Sequence, residues 1–372
     1  MTTDRIQLIS NAKLIVIKIG SGVLAGVDGL NRRALRRLGS QMVAIRESGR
    51  QVVVVSSGAI ASGLQPLGLV RMPKTIVDKQ AAAAVGQQVL MNAWADVFRK
   101  SQIAVGQVLL TSDDLDHRSR YLNARHTLVS LLQRGVIPII NENDSVSFEE
   151  IKMGDNDHLS ALVTTLISAN LLVMLTNVDG LRRGGAQGEL IETVRATDEV
   201  DGHVGRSKST TGVGGMATKL QAARLVGRSG IPAIIANGSR AKVLQDIVAG
   251  KKLGTYFEPK TSRLDVRRRW IATATRPRGK IFVDDGAKKA IASRKASLLP
   301  SGITKVEGHF SAGSVVRICD QKGVPFARGL VSYTSDEASK VMGRNSKDIP
   351  TILGYRYLDE IIHRNDLVLD DD

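Results

Sequence analysis

The chain has a single cysteine, Cys319, so it can build neither an internal disulfide framework nor a cysteine-cluster metal site. Aromatic residues are scarce, at 3% of 372 residues, while hydrophobic residues as a whole reach 42%. A core of that composition consists of Val, Ile, Leu and Ala, the filling of parallel strands between helices rather than of a β-sandwich. No apolar run approaches membrane-spanning length, and the opening residues Met1-Thr2-Thr3-Asp4-Arg5 carry no signal-peptide hydrophobic stretch. A soluble, reducing-compartment protein is expected, most simply a cytoplasmic one without a membrane partner. The chain also lacks Gly-x-x-x-x-Gly-Lys-[Ser/Thr], which excludes P-loop phosphate handling, and the His-Arg-Asp and Asp-Phe-Gly set of protein kinases.

Charge is plentiful and mostly of one sign, with a formal net value of +16. Residues 1–262 carry +10, the short stretch 263–280 carries +6, and residues 281–372 balance to zero. The dense run from Arg263 to Lys280, including Arg267-Arg268-Arg269, reads either as solvated surface or as a contact for RNA. The excess before it suits anionic small-molecule substrates equally well.

Apolar periodicity alternates between strand and helix through the first 260 residues. Strands are expected over Lys13–Ile19, Gln51–Val55, Ile103–Leu109, Val136–Ile140, Leu171–Leu175 and Pro232–Ala236. Helices are expected over Asn31–Ser48, Val77–Lys100, Ser119–Arg134, Asp157–Ala169 and Gly215–Ser229. This rhythm predicts an α/β fold with a mostly parallel sheet covered on both faces. After Thr261 the pattern changes to short β-type runs near 280–283, 303–306, 314–318, 326–331 and 366–369. The expected division is therefore a domain over 1–262, a basic linker over 263–279 and a small β-rich domain over 280–372.

Two polar clusters stand out, Asn141-Glu142-Asn143-Asp144 and Gly154-Asp155-Asn156-Asp157. The first follows the apolar run Val136–Ile140, where a buried strand surfaces. The second precedes an apolar helical pattern and so falls at a helix start, where exposed backbone N–H groups favour anions. Three glycine-rich segments recur at strand ends, at Gly20–Gly22, Ser56–Gly63 and Gly212–Lys219. Glycine lets backbone N–H groups approach phosphate closely. His158 has no second histidine at ligand spacing and is read as a support behind the neighbouring site residues or as helix-start packing, so no metal site is assigned to the protein itself. Cys319, in a β-type run, reads as buried filler.

Taken in order, Lys18-Ile19-Gly20-Ser21, Val55-Ser56-Ser57-Gly58-Ala59-Ile60-Ala61, Leu122-Asn123-Ala124-Arg125, Ile140-Asn141-Glu142-Asn143-Asp144, Gly154-Asp155-Asn156-Asp157, Leu175-Thr176 and Gly214-Gly215-Met216-Ala217-Thr218-Lys219 closely resemble the glutamate 5-kinase family. The tail, with Leu298-Leu299-Pro300-Ser301-Gly302-Ile303, Gly308, Phe310 and Gly313, is similar to a PUA domain. The resemblance implies an amino-acid-kinase three-layer sandwich with a mostly parallel central sheet, followed by a small β-barrel PUA domain. It implies transfer of the γ-phosphoryl group of ATP, with Mg²⁺, to the side-chain carboxylate of L-glutamate. Lys18 and Lys219 match the lysines that contact the transferred group, and Asp157 matches the aspartate that orients them. Ser57, Asp144 and Asn156 match glutamate-binding positions, with Asn141 supporting the same pocket. Nucleotide contacts are implied for Lys18, Thr176, Asn177, Val213, Gly214, Gly215, Met216, Ala217, Thr218 and Lys219. Many relatives carry Asp at 177 and Thr at 213, where this chain has Asn177 and Val213. A homo-oligomer, dimeric or tetrameric, and feedback by proline are further implications. The alternatives are a related small-molecule kinase, which would share the glycine loops and lysines, and an RNA-binding accessory protein, which would leave both polar clusters idle.

Overall fold

The computed structural model of the chain describes residues 2–26, 29–146, 155–184, 187–195, 215–259, 277–294, 296–356 and 358–370. The chain divides into two compact units, Met1–Thr261 and Ser262–Asp372.

In the first unit, strands rich in Val, Ile and Leu form an eight-stranded sheet. Its order is Val105–Leu110, Ile137–Glu142, Gln51–Ser56, Leu14–Ile19, Leu171–Thr176, Ala233–Asn237, Thr255–Phe257 and Thr193–Val194. The first six are mutually parallel, and Thr255–Phe257 runs antiparallel to Ala233–Asn237. Chain order reverses direction about Leu14–Ile19, which has Gln51–Ser56 on one side and Leu171–Thr176 on the other. The crevice beyond the carboxyl ends at such a reversal is where open α/β sheets bind ligands.

Strand parity decides what each face meets. Ile15, Ile17, Val52, Val54, Ile139 and Val173 pack on the face covered by the helices Arg32–Glu47 and Ile76–Arg99, with Trp94 and Phe98 among the contacts. Val16, Val53, Val55, Ile140 and Met174 pack on the opposite face with Leu159 and Val163 of the helix Asp155–Leu166 and Leu220 and Ala223 of the helix Met216–Arg228. Lys18 shares parity with Val16, so its side chain is sent toward the starts of those last two helices. Asn141 and Ser56 share parity with the first set, and Trp94 Nε1 donates to Ser56 Oγ at 3.1 Å.

The helix Ala59–Leu64 follows Gly58, whose φ of +111° turns the chain after the strand Gln51–Ser56. It then packs against Ile76–Arg99 almost backbone to backbone. A Cβ on Gly86 would lie 1.9 Å from Ala59 O and 2.4 Å from Gly63 N, and a Cβ on Gly63 would lie 1.9 Å from Ala82 O. Gly86→Ala is therefore expected to cost about 1–3 kcal/mol, at the upper end because the obstacle is backbone. That corresponds to a melting temperature several degrees lower, and an unchanged melting temperature would contradict this packing.

The second unit has its own core, including Ile281, Val283, Phe310, Val316, Tyr333 and Ile362. Its five-stranded sheet runs Ile303–Glu307, Lys280–Val283, Val315–Cys319, Pro325–Leu330 and Leu367–Leu369, with helices Asp285–Arg294, Ser335–Val341 and Ile349–Leu353. Cys319 is buried, and burial pushes its thiol above the ordinary range, in keeping with a filler role. No helix among the described residues is long and apolar enough to cross a membrane.

Candidate active site

Polar side chains gather along the carboxyl ends of the parallel strands. Lys18 is buried in the second-last position of the central strand, and Asp157 is fully buried in the first turn of Asp155–Leu166. Lys18 Nζ lies 2.6 Å from Asp157 Oδ1, and Lys219 Nζ lies 3.1 Å from Asp157 Oδ2. Thr218 Oγ1 is 2.7 Å from the same Oδ2 and 2.8 Å from Gly215 O, so its one proton is shared between two acceptors. Gly215 is the N-cap of the helix that carries Thr218 and Lys219.

Burial by itself would raise the Asp157 carboxyl, but the charges of Lys18 and Lys219, with hydrogen bonds from Lys18 and Thr218, outweigh it and hold the group below the usual carboxylate range. Burial pushes the Lys18 ammonium below the ordinary lysine range, with Asp157 pulling it back and Lys219 adding to the depression. Two ammonium groups on one carboxylate leave one net positive charge when all three are ionised. Such a centre is matched to an anion that brings its own negative charge into the crevice.

A second constellation lies on the other side of the reversal. Asn156 Nδ2 is 3.0 Å from Asn141 Oδ1 and 3.2 Å from Ser57 Oγ, and Asn141 Nδ2 donates to Gln87 Oε1 at 3.0 Å. Asp144, past the end of the strand Ile137–Glu142, lines a cleft of about 490 Å³ together with Gln87, Glu142 and Met91. On the far side of the central strand, Thr176 is buried at its strand end and its Oγ1 donates to Oδ1 of the exposed Asn177 at 3.3 Å. Met216 is half-buried and Ala217 exposed in the first turn after Gly215.

Lys18, Asp157, Thr218 and Lys219 are thus brought into one cluster, and Ser57, Asn141 and Asn156 into another. Thr218 grips Asp157 directly. Val213, Gly214 and the run Arg267–Arg269 lie outside the described residues. His158 is exposed rather than packed, because its position on the helix faces away from the sheet. Gln87 was not singled out from the sequence. A helical spacing did mark it, since Ala83, Gln87, Leu90 and Trp94 form one buried stripe. No group of three His, Cys, Asp or Glu able to hold a metal ion occurs among the described residues.

The amino acid kinase family matches residues 13–237, and the PUA domain matches residues 279–353. Fold and site together define an amino acid kinase followed by a PUA domain. The glutamate 5-kinase of Geobacter sulfurreducens is 51% identical over 371 residues, covering 98% of this chain and 100% of that protein. The glutamate 5-kinase of Syntrophotalea carbinolica is 48% identical over 370 residues, covering 98% and 99%. Among solved structures, a carbamate kinase from Giardia lamblia bound to AMP-PNP shares 17% sequence identity at a TM-score of 0.48, covering 67% of this chain and 99% of that one. Within the amino acid kinases, the chain belongs to the glutamate 5-kinase family.

Proposed function

We propose that the chain transfers the γ-phosphoryl group of ATP to the side-chain carboxylate of L-glutamate, giving L-glutamyl 5-phosphate, the first step of proline biosynthesis. The observation that carries this reading is the buried Lys18–Asp157–Lys219 centre at the sheet reversal, with an amide-rich pocket on one side and a nucleotide-compatible strand end on the other. A glutamate side chain has a reference pKa near 4.3 and is ionised at neutral pH, so the nucleophile needs no general base. The barrier lies in bringing that anion up to a polyanionic nucleotide and in stabilising charge on the transferred phosphoryl oxygens. Lys18 and Lys219 supply the cations, and Asp157 fixes both ammonium groups without reaching the substrate.

Ser57, Asn141 and Asn156 orient the amino-acid end, with Asp144 placed to balance the α-ammonium. Thr176, Asn177 and the segment 213–219 hold the nucleotide. Mg²⁺ enters on the nucleotide phosphates, keeping much of its water, since the nearest buried carboxylate, Asp157, is already taken by two lysines. Catalysis resides in 1–262, joined by the basic linker 263–279 to the PUA domain 280–372. Proline, which shares the α-carboxylate and amino nitrogen of glutamate, competes for the same pocket. The enzyme works in the cytoplasm as a homo-oligomer.

The test is ADP release measured with L-glutamate, N-acetylglutamate, aspartate and UMP as acceptors. Release should depend on L-glutamate alone. Equal turnover of N-acetylglutamate, or none with glutamate, would overturn the substrate assignment.

A further inference from the structure

Gln87 is buried beside Asn141 and lines the cleft in which the proposed acceptor must lie. It projects from the helix Ile76–Arg99 over the sheet face that carries Asn141, and it lines the same cleft as Asp144. Its Oε1 accepts from Asn141 Nδ2 at 3.0 Å, while its Nε2 is buried with no hydrogen-bond partner. Further along, Asn141 Oδ1 accepts from Asn156 Nδ2 at 3.0 Å, and Asn156 Oδ1 is likewise buried without a partner. Three side-chain amides thus run in series, with an unused donor at the Gln87 end and an unused acceptor at the Asn156 end.

Unpaired buried amide atoms cost free energy, and most buried polar groups avoid that cost. A relay left open in opposite senses at its two ends is complementary to a ligand that carries an anion and a cation on one carbon. The head of an α-amino acid is such a group. Its place along the sheet edge agrees. The strand of Asn141 is two strands from that of Lys18, about 10 Å at the usual spacing. A glutamate whose distal carboxylate meets the lysines therefore has its α-carbon on the Asn141 side.

Resting on the proposal that glutamate is the acceptor, we infer that Gln87 is a specificity-determining substrate contact whose Nε2–H donates to the glutamate α-carboxylate, while Asn156 Oδ1 accepts from the α-ammonium. The assignment separates from a merely structural one through Gln87→Glu. Glutamate at 87 keeps the oxygen that accepts from Asn141 and replaces only the unpartnered N–H₂, adding a negative charge there.

The experiment compares L-glutamate with its α-amide, in which a neutral carboxamide replaces the α-carboxylate and the side-chain carboxylate is kept. Each compound is assayed as a substrate and as a competitor of the other in the full-length enzyme, with a thermal melt of each variant. For Gln87→Glu, apparent affinity for L-glutamate should fall by about thirtyfold or more, while that for the α-amide falls by less than about threefold or improves, because a carboxamide can donate to the new carboxylate. Gln87→Met, which loses the N–H without adding charge, should shift the preference in the same direction but less. Equal losses for both compounds in both variants would overturn the assignment and leave Gln87 as a support for Asn141. Absence of glutamate-dependent ADP release in the unaltered enzyme would instead remove the acceptor reading itself, and the inference with it.

Discussion

An enzyme with alanine in place of Lys219 is expected to stay folded and to bind glutamate, yet to lose about 10²–10³-fold in kcat. Lys219 is buried at the start of its helix and pairs with Asp157, while Ser57, Asn141 and Asn156 are bonded to one another. Its charge acts on the phosphoryl group as negative charge redistributes during transfer, so its loss should fall on kcat and on kcat/KM together. Asp157 would keep Lys18 at 2.6 Å and Thr218 at 2.7 Å, which preserves the centre's geometry. Steady-state kinetics with glutamate varied at saturating ATP checks this. A variant that loses only glutamate affinity would place Lys219 in the acceptor pocket instead.

Asp157→Asn should be the most destabilising change at the site. It leaves two buried ammonium groups facing each other without their shared anion, and removing one partner from a buried ion pair costs about 3–5 kcal/mol. For a unit of this size that is on the order of 10 °C in melting temperature. Activity should fall at least as far as in the Lys219 variant, since both cations lose their orientation.

The pH dependence has a definite sign. The Asp157 carboxyl is held below the ordinary carboxylate range in the folded protein, so its stabilising contribution is present above the unfolded value, near pH 4, and is lost as pH falls through the lower folded value. The gap in stability between the parent enzyme and Asp157→Asn should therefore be wide at neutral pH and narrow on acidification below about pH 4. A gap that widens in acid would mean that the carboxylate is not ionised in the fold. Nucleotide should recover part of the lost melting temperature, because its phosphates return negative charge to the lysines.

The alternating rhythm of the first unit was legible because the Val, Ile and Leu runs of its inner strands, such as Leu14–Ile19, Gln51–Ser56 and Leu171–Thr176, are buried on both faces and leave little ambiguity. Lys13–Ile19 contained its own exception, a lysine amid apolar residues, and the structure seats Lys18 among buried groups. The start of the helix carrying Asp157 was expected two residues late. Asn156 and Asp157 nonetheless fall in its first turn, so the error did not move the chemistry.

What could not be read was long-range or low in contrast. Lys219 and Asp157 are 62 residues apart, so no local pattern announces their contact and only the family resemblance implied it. Gln87 sits in an Ala-rich helix whose faces differ little in hydrophobicity, so the buried stripe that holds it stands out only weakly. The last two strands of the sheet, Thr255–Phe257 and Thr193–Val194, are too short for any period to register. Helices Asp285–Arg294 and Ser335–Val341 in the second unit were missed beside the stronger β-type runs.

The measurement that bears most directly on the central claim is trapping of the product. With L-glutamate, ATP and Mg²⁺, added hydroxylamine should convert the acyl phosphate to γ-glutamyl hydroxamate, formed in step with ADP and absent when glutamate or enzyme is left out. ADP released without hydroxamate, or hydroxamate derived from the α-carboxylate, would contradict phosphoryl transfer to the glutamate side chain.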